Sequence, residues 1–303
     1  MAFIHKYSTI SKGDTFNQGI IDTWINFKKE AEIMHPNYKE AIPGVSLRRM
    51  SAIVKMGLAN TIKCSTNNKV DAIVVGTGLG SIHHTELFLS SFINADQSIL
   101  SPTPFINSVH NTISGEIALH TQNKGYNSTY SHNGLSFEGA LLDAMLLTKE
   151  GGNVIIGGID ESIPILDDLL TKMKSKNLFS SGSSFFNLSP NKKHSLAEVT
   201  NCIITKEKQL LSLINTELNP EEDFIISGSS TCNKPENTNA FNYSKYSGIY
   251  MTNSSFGLQL AVEILTSLGT NKLDGYKLPA KLKRVIIINY SSKNDVGVII
   301  LKK

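Results

Sequence analysis

The sequence has 303 residues, 40% of them hydrophobic and 18% charged, which suffices for a sizeable core and excludes a disordered or fibrous chain. A net charge of +3, from 29 basic against 26 acidic residues, is too weak to argue for nucleic acid. No apolar run approaches the ~18 residues of a membrane span. Three scattered cysteines, Cys64, Cys202 and Cys232, suit neither a disulfide framework nor a zinc site.

The first residues, Met1 to Lys6, lack an apolar signal core, so a cytoplasmic location is expected. Residues 48–64 place Met50, Ile53, Val54, Gly57, Leu58 and Ile62 on one helical face. Residues 71–76 read as a strand, followed by helices over 85–92 and 108–119. An apolar helix over 137–147 leads into a strand at 153–157. The Ser-, Asn- and Lys-rich stretch 177–195, with its Phe185-Phe186 pair, reads as a loop between two halves. Strands follow at 201–205 and 224–226, then a polar loop at 233–245. A second apolar helix, 256–265, precedes strands at 284–288 and 296–301. Continuous apolar runs rather than alternating ones indicate strands buried on both faces. Strands alternating with helices give an α/β class. The helix-then-strand order occurs twice, and both helices are apolar around most of their circumference. That pattern suggests duplication, with each helix buried between sheets.

Three local motifs carry chemistry or its imitation. Gly76-Thr77-Gly78-Leu79-Gly80 follows a strand, but its spacing is not G-x-G-x-x-G, so a tight strand-to-helix turn is the better reading. His83 and His84 are adjacent and diverge on a helix, which argues against a shared metal. Ser131-His132 precedes the helix at Phe137, where the dipole acidifies a nucleophile. Serine is equally at home in the turn that starts a helix.

Ser101-Pro102-Thr103-Pro104-Phe105, Ser108-Val109-His110-Asn111 and Gly115-Glu116-Ile117-Ala118 together resemble the β-ketoacyl synthase family. The likeness is closest to the short branch of aryl-polyene and flexirubin-type pathways. Asn127 to Tyr130, Ser136 to Ala144 and Arg48 to Ala59 extend the resemblance, which is best over residues 40–165 and weaker over 195–303. It implies a thiolase-like fold of two duplicated βαβαβ-type halves in alternating α/β layers. The division expected is 1–170 and 171–303, packed as one compact unit.

The family's activity is that of a 3-oxoacyl-carrier-protein synthase, a decarboxylating condensation. It needs a cysteine thiolate at a buried helix N-terminus and two histidines that stabilise developing negative charge. The nucleophile position falls here on Ser131 or His132. The first histidine position falls on Gly228, the second on Ile249 or Tyr250. The glycine-rich loop expected after the next strand reads Asn289 to Asp295 instead. Groups that act as a unit fail as a unit, so no condensation is expected from this chain alone. The resemblance therefore implies a chain-length-factor-like subunit paired with an active ketosynthase and served by an acyl carrier protein. Phe105, His110, Asn111, Glu116, Tyr130 and Phe137 are candidates for its dimer interface or tunnel. Two alternatives stay open: a Ser131/His132 acyl transferase or thioesterase, and a homodimeric acyl-binding pseudoenzyme. No metal, cofactor, nucleic-acid or membrane partner is implied.

Overall fold

The computed structural model describes residues 1–25, 32–44, 47–66, 69–93, 101–172, 179–210, 218–229, 240–266, 272–273, 276–291 and 294–303. The N-terminal half contributes strands β1 (Ala2–Ile10), β2 (Ala72–Gly76), β3 (Tyr126–Tyr130), β4 (Val154–Asp160) and β5 (Gly182–Ser189). The C-terminal half contributes β6 (Ala197–Lys206), β7 (Asp223–Ser229) and β8 (Phe241–Asn242). A small hairpin of β9 (Lys272–Leu273) and β10 (Tyr276–Lys277) follows, then β11 (Arg284–Tyr290) and β12 (Asp295–Lys302).

All but the hairpin form one sheet in the order β3-β2-β4-β5-β1-β6-β12-β11-β7-β8. Each half repeats one pattern. In the first, β2 runs parallel to β3 and β4, and β5 runs antiparallel to β4 and β1. In the second, β7 runs parallel to β8 and β11, and β12 runs antiparallel to β11 and β6. The halves meet where β1 pairs antiparallel with β6, from Ala2↔Val199 to Ile4↔Ala197. This is the duplicated α/β architecture the resemblance implied.

Two helices form the middle layer. Helix Ser136–Lys149 packs on β2 and β4 and also meets β6, while helix Ser254–Thr266 packs on β11 and β7 and also meets β5. Every residue from Ser254 to Leu265 is buried, whereas Leu146 of the first helix is exposed. The expected enclosure therefore holds fully for the second helix and partly for the first. On the outer face, helix Ala52–Cys64 starts at Ser51, whose Oγ accepts from the Val54 amide at 3.3 Å, rather than at Arg48. Ile53, Val54, Gly57 and Leu58 face the core as the spacing predicts, but Ile62 falls on the open side. The expected helix over 108–119 is split, because Val109 adopts an extended conformation between helices Pro102–Ser108 and Thr112–His120.

Two central strands depart from the sequence reading. The stretch expected to be a loop at 177–195 contains β5, buried throughout. Its polar residues find partners inside: Asn60 Nδ2 donates to Ser183 Oγ at 2.8 Å, and Thr9 Oγ1 donates to Ser184 Oγ at 2.8 Å. Phe185 and Phe186 point into opposite cores, as strand periodicity dictates. β1 is likewise buried at both ends despite its polar middle, and its register shifts between Ile4 and Lys6. Of the polar loop expected at 233–245, residues 233–239 lie outside the described residues, and 241–242 form β8. No described helix is long and apolar enough to cross a membrane.

Gly76 ends β2 directly beneath the first turn of helix Ser136–Lys149. A Cβ there would lie 2.6 Å from the Ser136 carbonyl oxygen and 2.8 Å from Phe137 Cα. Backbone cannot swing aside as a side chain can. Gly76→Ala is expected to cost about 2–3 kcal/mol in urea unfolding; a loss below about 1 kcal/mol would mean that the helix shifts freely.

Candidate functional site

The turn between β3 and helix Ser136–Lys149 carries the nucleophile position. Ser131, His132 and Asn133 are exposed, and Asn133 has φ 48°, which turns the chain sharply into the helix. Ser136 ties the turn together: its Oγ accepts from the His132 amide at 2.8 Å and donates to the Asn133 carbonyl at 2.7 Å. Ser131 and His132 make no hydrogen bond to one another, so nothing draws the proton from the serine hydroxyl.

Of the two expected histidine positions, Gly228 packs against Tyr243 and the other falls on Ile249 or Tyr250. Gly228 lies in β7, where a Cβ would meet the Tyr243 hydroxyl at 2.2 Å. Tyr250 is fully buried with its ring over Gly182, where a Cβ would lie 2.3 Å from Cζ. Ile249 instead bridges Phe179 through its backbone. Burial pushes both tyrosine hydroxyls well above their usual range, so both stay protonated.

These loops converge. A Cβ on Gly78 would meet Met251 Cβ at 2.2 Å and the Asn133 carbonyl oxygen at 3.1 Å. Asn289, opposite Gly228 in the β7–β11 register, donates Nδ2 to the Gly134 carbonyl at 2.7 Å. The turn after β2, the nucleophile turn and both former histidine positions therefore gather at one end of the sheet. None of these described loops carries a cysteine, and His132 makes no hydrogen bond to Ser131. Cys202 is buried beside Glu138, and burial together with that charge pushes its thiol well up. Burial pushes the Cys64 thiol up to about 12. Cys232 lies outside the described residues.

Two buried carboxyls organise the same region, and sequence reasoning had singled out neither. Asp160, at the end of β4, accepts from Thr77 Oγ1 (3.1 Å) and from the amides of Gly78 (2.8 Å) and Leu79 (3.0 Å). It also accepts from the amide (2.9 Å) and hydroxyl (2.8 Å) of Thr252. Its carboxylate occupies the amide cradle of the Gly76–Gly80 turn, so that turn binds the chain's own acid rather than a phosphate. The one available signal was an acidic pair, Asp160-Glu161, ending an apolar strand. Glu138 is completely buried, and burial raises its pKa to about 7 against the pull of Asn289, whose Nδ2 lies 2.8 Å from Oε1. His83 and His84 do not act together: their rings meet edge-on at 5.7 Å, His83 lies 3.9 Å from Glu86, and His84 bonds Ser81 at 3.2 Å. Among the described residues no three metal-ligating side chains gather.

Beside the turn, a broad apolar face is open. Helix Ile82–Ile93 has no buried residue; Leu87, Leu89 and Phe92 on it are exposed, Phe92 by 63%. Phe105 packs on Phe88 with ring centroids 5.2 Å apart and is itself exposed, as are Ile106 and Val109. β3 closes the sheet on this side and pairs only with β2. His110, Asn111 and Tyr130 reach the surface or half reach it, and Glu116 pairs with His120 at 3.4 Å. Phe137 is fully buried against Phe186, on the inward face of its helix.

No curated protein sequence matches this chain. Solved structures match along its whole length. A type II polyketide synthase acyl-carrier protein in complex with its ketosynthase bound to the hexaketide shares 14% identity over 99% of both chains, with a TM-score of 0.78. The ishigamide ketosynthase/chain length factor shares 12% over 99% of both, at 0.73. A ketosynthase in complex with its chain length factor from Xenorhabdus doucetiae shares 14% over 100% of this chain and 99% of the other, at 0.60. At such identities the likeness is one of fold. In sequence, the N-terminal domain of β-ketoacyl synthases matches residues 14–178, more than half of the chain. With its duplicated sheet and the placement of its turns, the chain belongs to the β-ketoacyl synthase family.

Proposed function

We propose that this chain is a non-catalytic, chain-length-factor-like subunit. It pairs with an active β-ketoacyl synthase that elongates polyene- or polyketide-type chains carried on an acyl carrier protein. The observation that carries this reading is the tyrosine packing at Gly228 and Tyr250, together with an expected nucleophile turn that has no thiol and whose His132 does not bond Ser131. A lost group can be regained by one substitution, whereas two buried rings filling the space commit the site to another use. The open edge of β3 and the apolar face around Phe92 and Phe105 supply what a permanent partner needs. Two of the structural neighbours are themselves ketosynthase and chain-length-factor pairs.

Co-expression with a ketosynthase from the same source tests this directly. A heterodimer by mass, with malonyl-carrier condensation only in the mixture, is expected. Phe92→Asp should abolish pairing, and Ser131→Ala should leave the condensation rate within about twofold. Covalent labelling of Ser131 by a serine-directed acyl probe would sink the proposal in favour of acyl transfer. A homodimer that ignores every ketosynthase would favour an acyl-binding pseudoenzyme.

A further inference from the structure

At the end of β2 remote from Gly76, a cleft of about 600 Å³ opens between the C-terminal ends of helices Ala52–Cys64 and Thr112–His120. Its floor is apolar, formed by Val70, Ile73 and Ile155. Its rim carries Lys69 and Lys124, and no acidic side chain lines it. Lys69 pairs with Asp71 just outside at 3.5 Å, whereas Lys124 makes no ion pair among the described residues. Lys6 adds a third positive charge nearby, its Nζ donating to the Ser65 carbonyl at 2.9 Å.

A second observation points inward. Thr61 lines the same cleft and is 1% exposed, yet its Oγ1 has no hydrogen-bond partner. Threonine in a helix ordinarily satisfies its hydroxyl on a carbonyl of the preceding turn, and Ser65 and Thr121, which also line the cleft, do so. A buried hydroxyl left open is costly unless something visits it.

We propose that this cleft binds a small amphipathic carboxylate, with its apolar body on Val70, Ile73 and Ile155 and its anionic head between Lys69 and Lys124. The volume admits a compound of drug-like size or below. Lys124, aided by Lys69 despite its Asp71 partner, selects an anion, and the apolar floor selects a hydrocarbon body over a bare inorganic ion. The cleft lies at the Ala72 end of β2, whereas helix Ile82–Ile93 follows the Gly76 end.

Calorimetric titration of the full chain with 2-naphthoate, against the neutral 2-naphthamide, tests it. One naphthoate per chain is expected, with the amide at least about tenfold weaker. Lys124→Gln should weaken naphthoate about tenfold. Thr61→Val should weaken it severalfold without lowering urea stability, since the hydroxyl has no partner to lose and its desolvation penalty disappears. Phe92→Ser, on the distant apolar helix, should have no effect. Equal binding of the amide, absence of saturation, or unchanged affinity in either cleft variant overturns the proposal. So does loss of binding in Phe92→Ser, which would place the ligand on the partner face.

Discussion

Asp160→Ala is expected to cost about 3–5 kcal/mol, the largest loss from any single side chain described above. The carboxylate gathers five donors from two segments more than 170 positions apart, Thr77 to Leu79 and Thr252. Truncation strands three amides at once, that of Thr252 buried and those of Gly78 and Leu79 part-buried, each with its own desolvation penalty. Asp160→Asn keeps the shape but turns one acceptor into a donor. With Oδ1 kept for Thr77, Gly78 and Leu79, the new NH₂ faces the Thr252 amide, donor against donor. Both variants should therefore lower the urea midpoint, alanine more than asparagine. The loop that starts helix Ile82–Ile93 is held by this clamp, so partner affinity should fall with stability. A loss below about 1 kcal/mol in Asp160→Ala would mean that water replaces the carboxylate without penalty.

Stability should decline as pH rises from 4.5 to 7, and Glu138→Gln should flatten that decline. The Glu138 carboxyl titrates near 7 in the fold against 4.5 in the unfolded chain, because burial disfavours its charge. A raised folded pKa means that the folded state holds the proton more tightly. Its contribution is intact below pH 4.5, is lost progressively up to about pH 7, and changes little beyond. The full difference is about 3 kcal/mol. Glutamine mimics the neutral acid: its carbonyl still accepts from Asn289 Nδ2, and its NH₂ meets the region of Asn289 Oδ1, which has no partner. Glu138→Gln should thus be the more stable protein at pH 8 and close to wild type at pH 4.5. Burial shifts Glu161 and Glu263 in the same direction, so some slope remains in the variant. Parallel pH–stability curves for the two proteins would show that Glu138 stays ionised.

Much of the fold was legible because its middle layer is written in apolar residues. The runs Ala72–Val75, Val154–Ile156 and Val285–Ile288 are buried on both faces, and such strands cannot resemble loops. β1 and β5 stayed hidden because their core faces hold Ser8, Thr9, Ser183 and Ser184, buried in hydrogen bonds with one another and with Asn60. Composition counts such residues as loop-forming until the partners are seen. At the site, the expected positions of the family's cysteine and histidines, Ser131 or His132, Gly228 and Ile249 or Tyr250, were readable only through the resemblance. The ring that packs against Gly228 was not, since Tyr243 lies fifteen residues from Gly228 and meets it only through the β7–β8 pairing. Of the exposed apolar face, Phe105 was named through the resemblance, whereas Leu87, Leu89 and Phe92 were not, because their helix also carries His83, His84, Thr85 and Glu86 and reads as an ordinary surface helix.

The position of β1 at the middle of the ten-stranded sheet bears on how the protein is made. Its principal neighbour is β5, paired from Phe3↔Ser189 to Ile10↔Ser183, and its other neighbour, β6, comes later still. At ordinary synthesis speeds, β1 leaves the ribosome on the order of ten seconds before β5. During that interval an apolar strand destined for the interior has both edges bare. Pairings this distant in sequence also slow folding after release. A chain built this way depends on protection of its first segment during translation, and that dependence is set by sheet order alone.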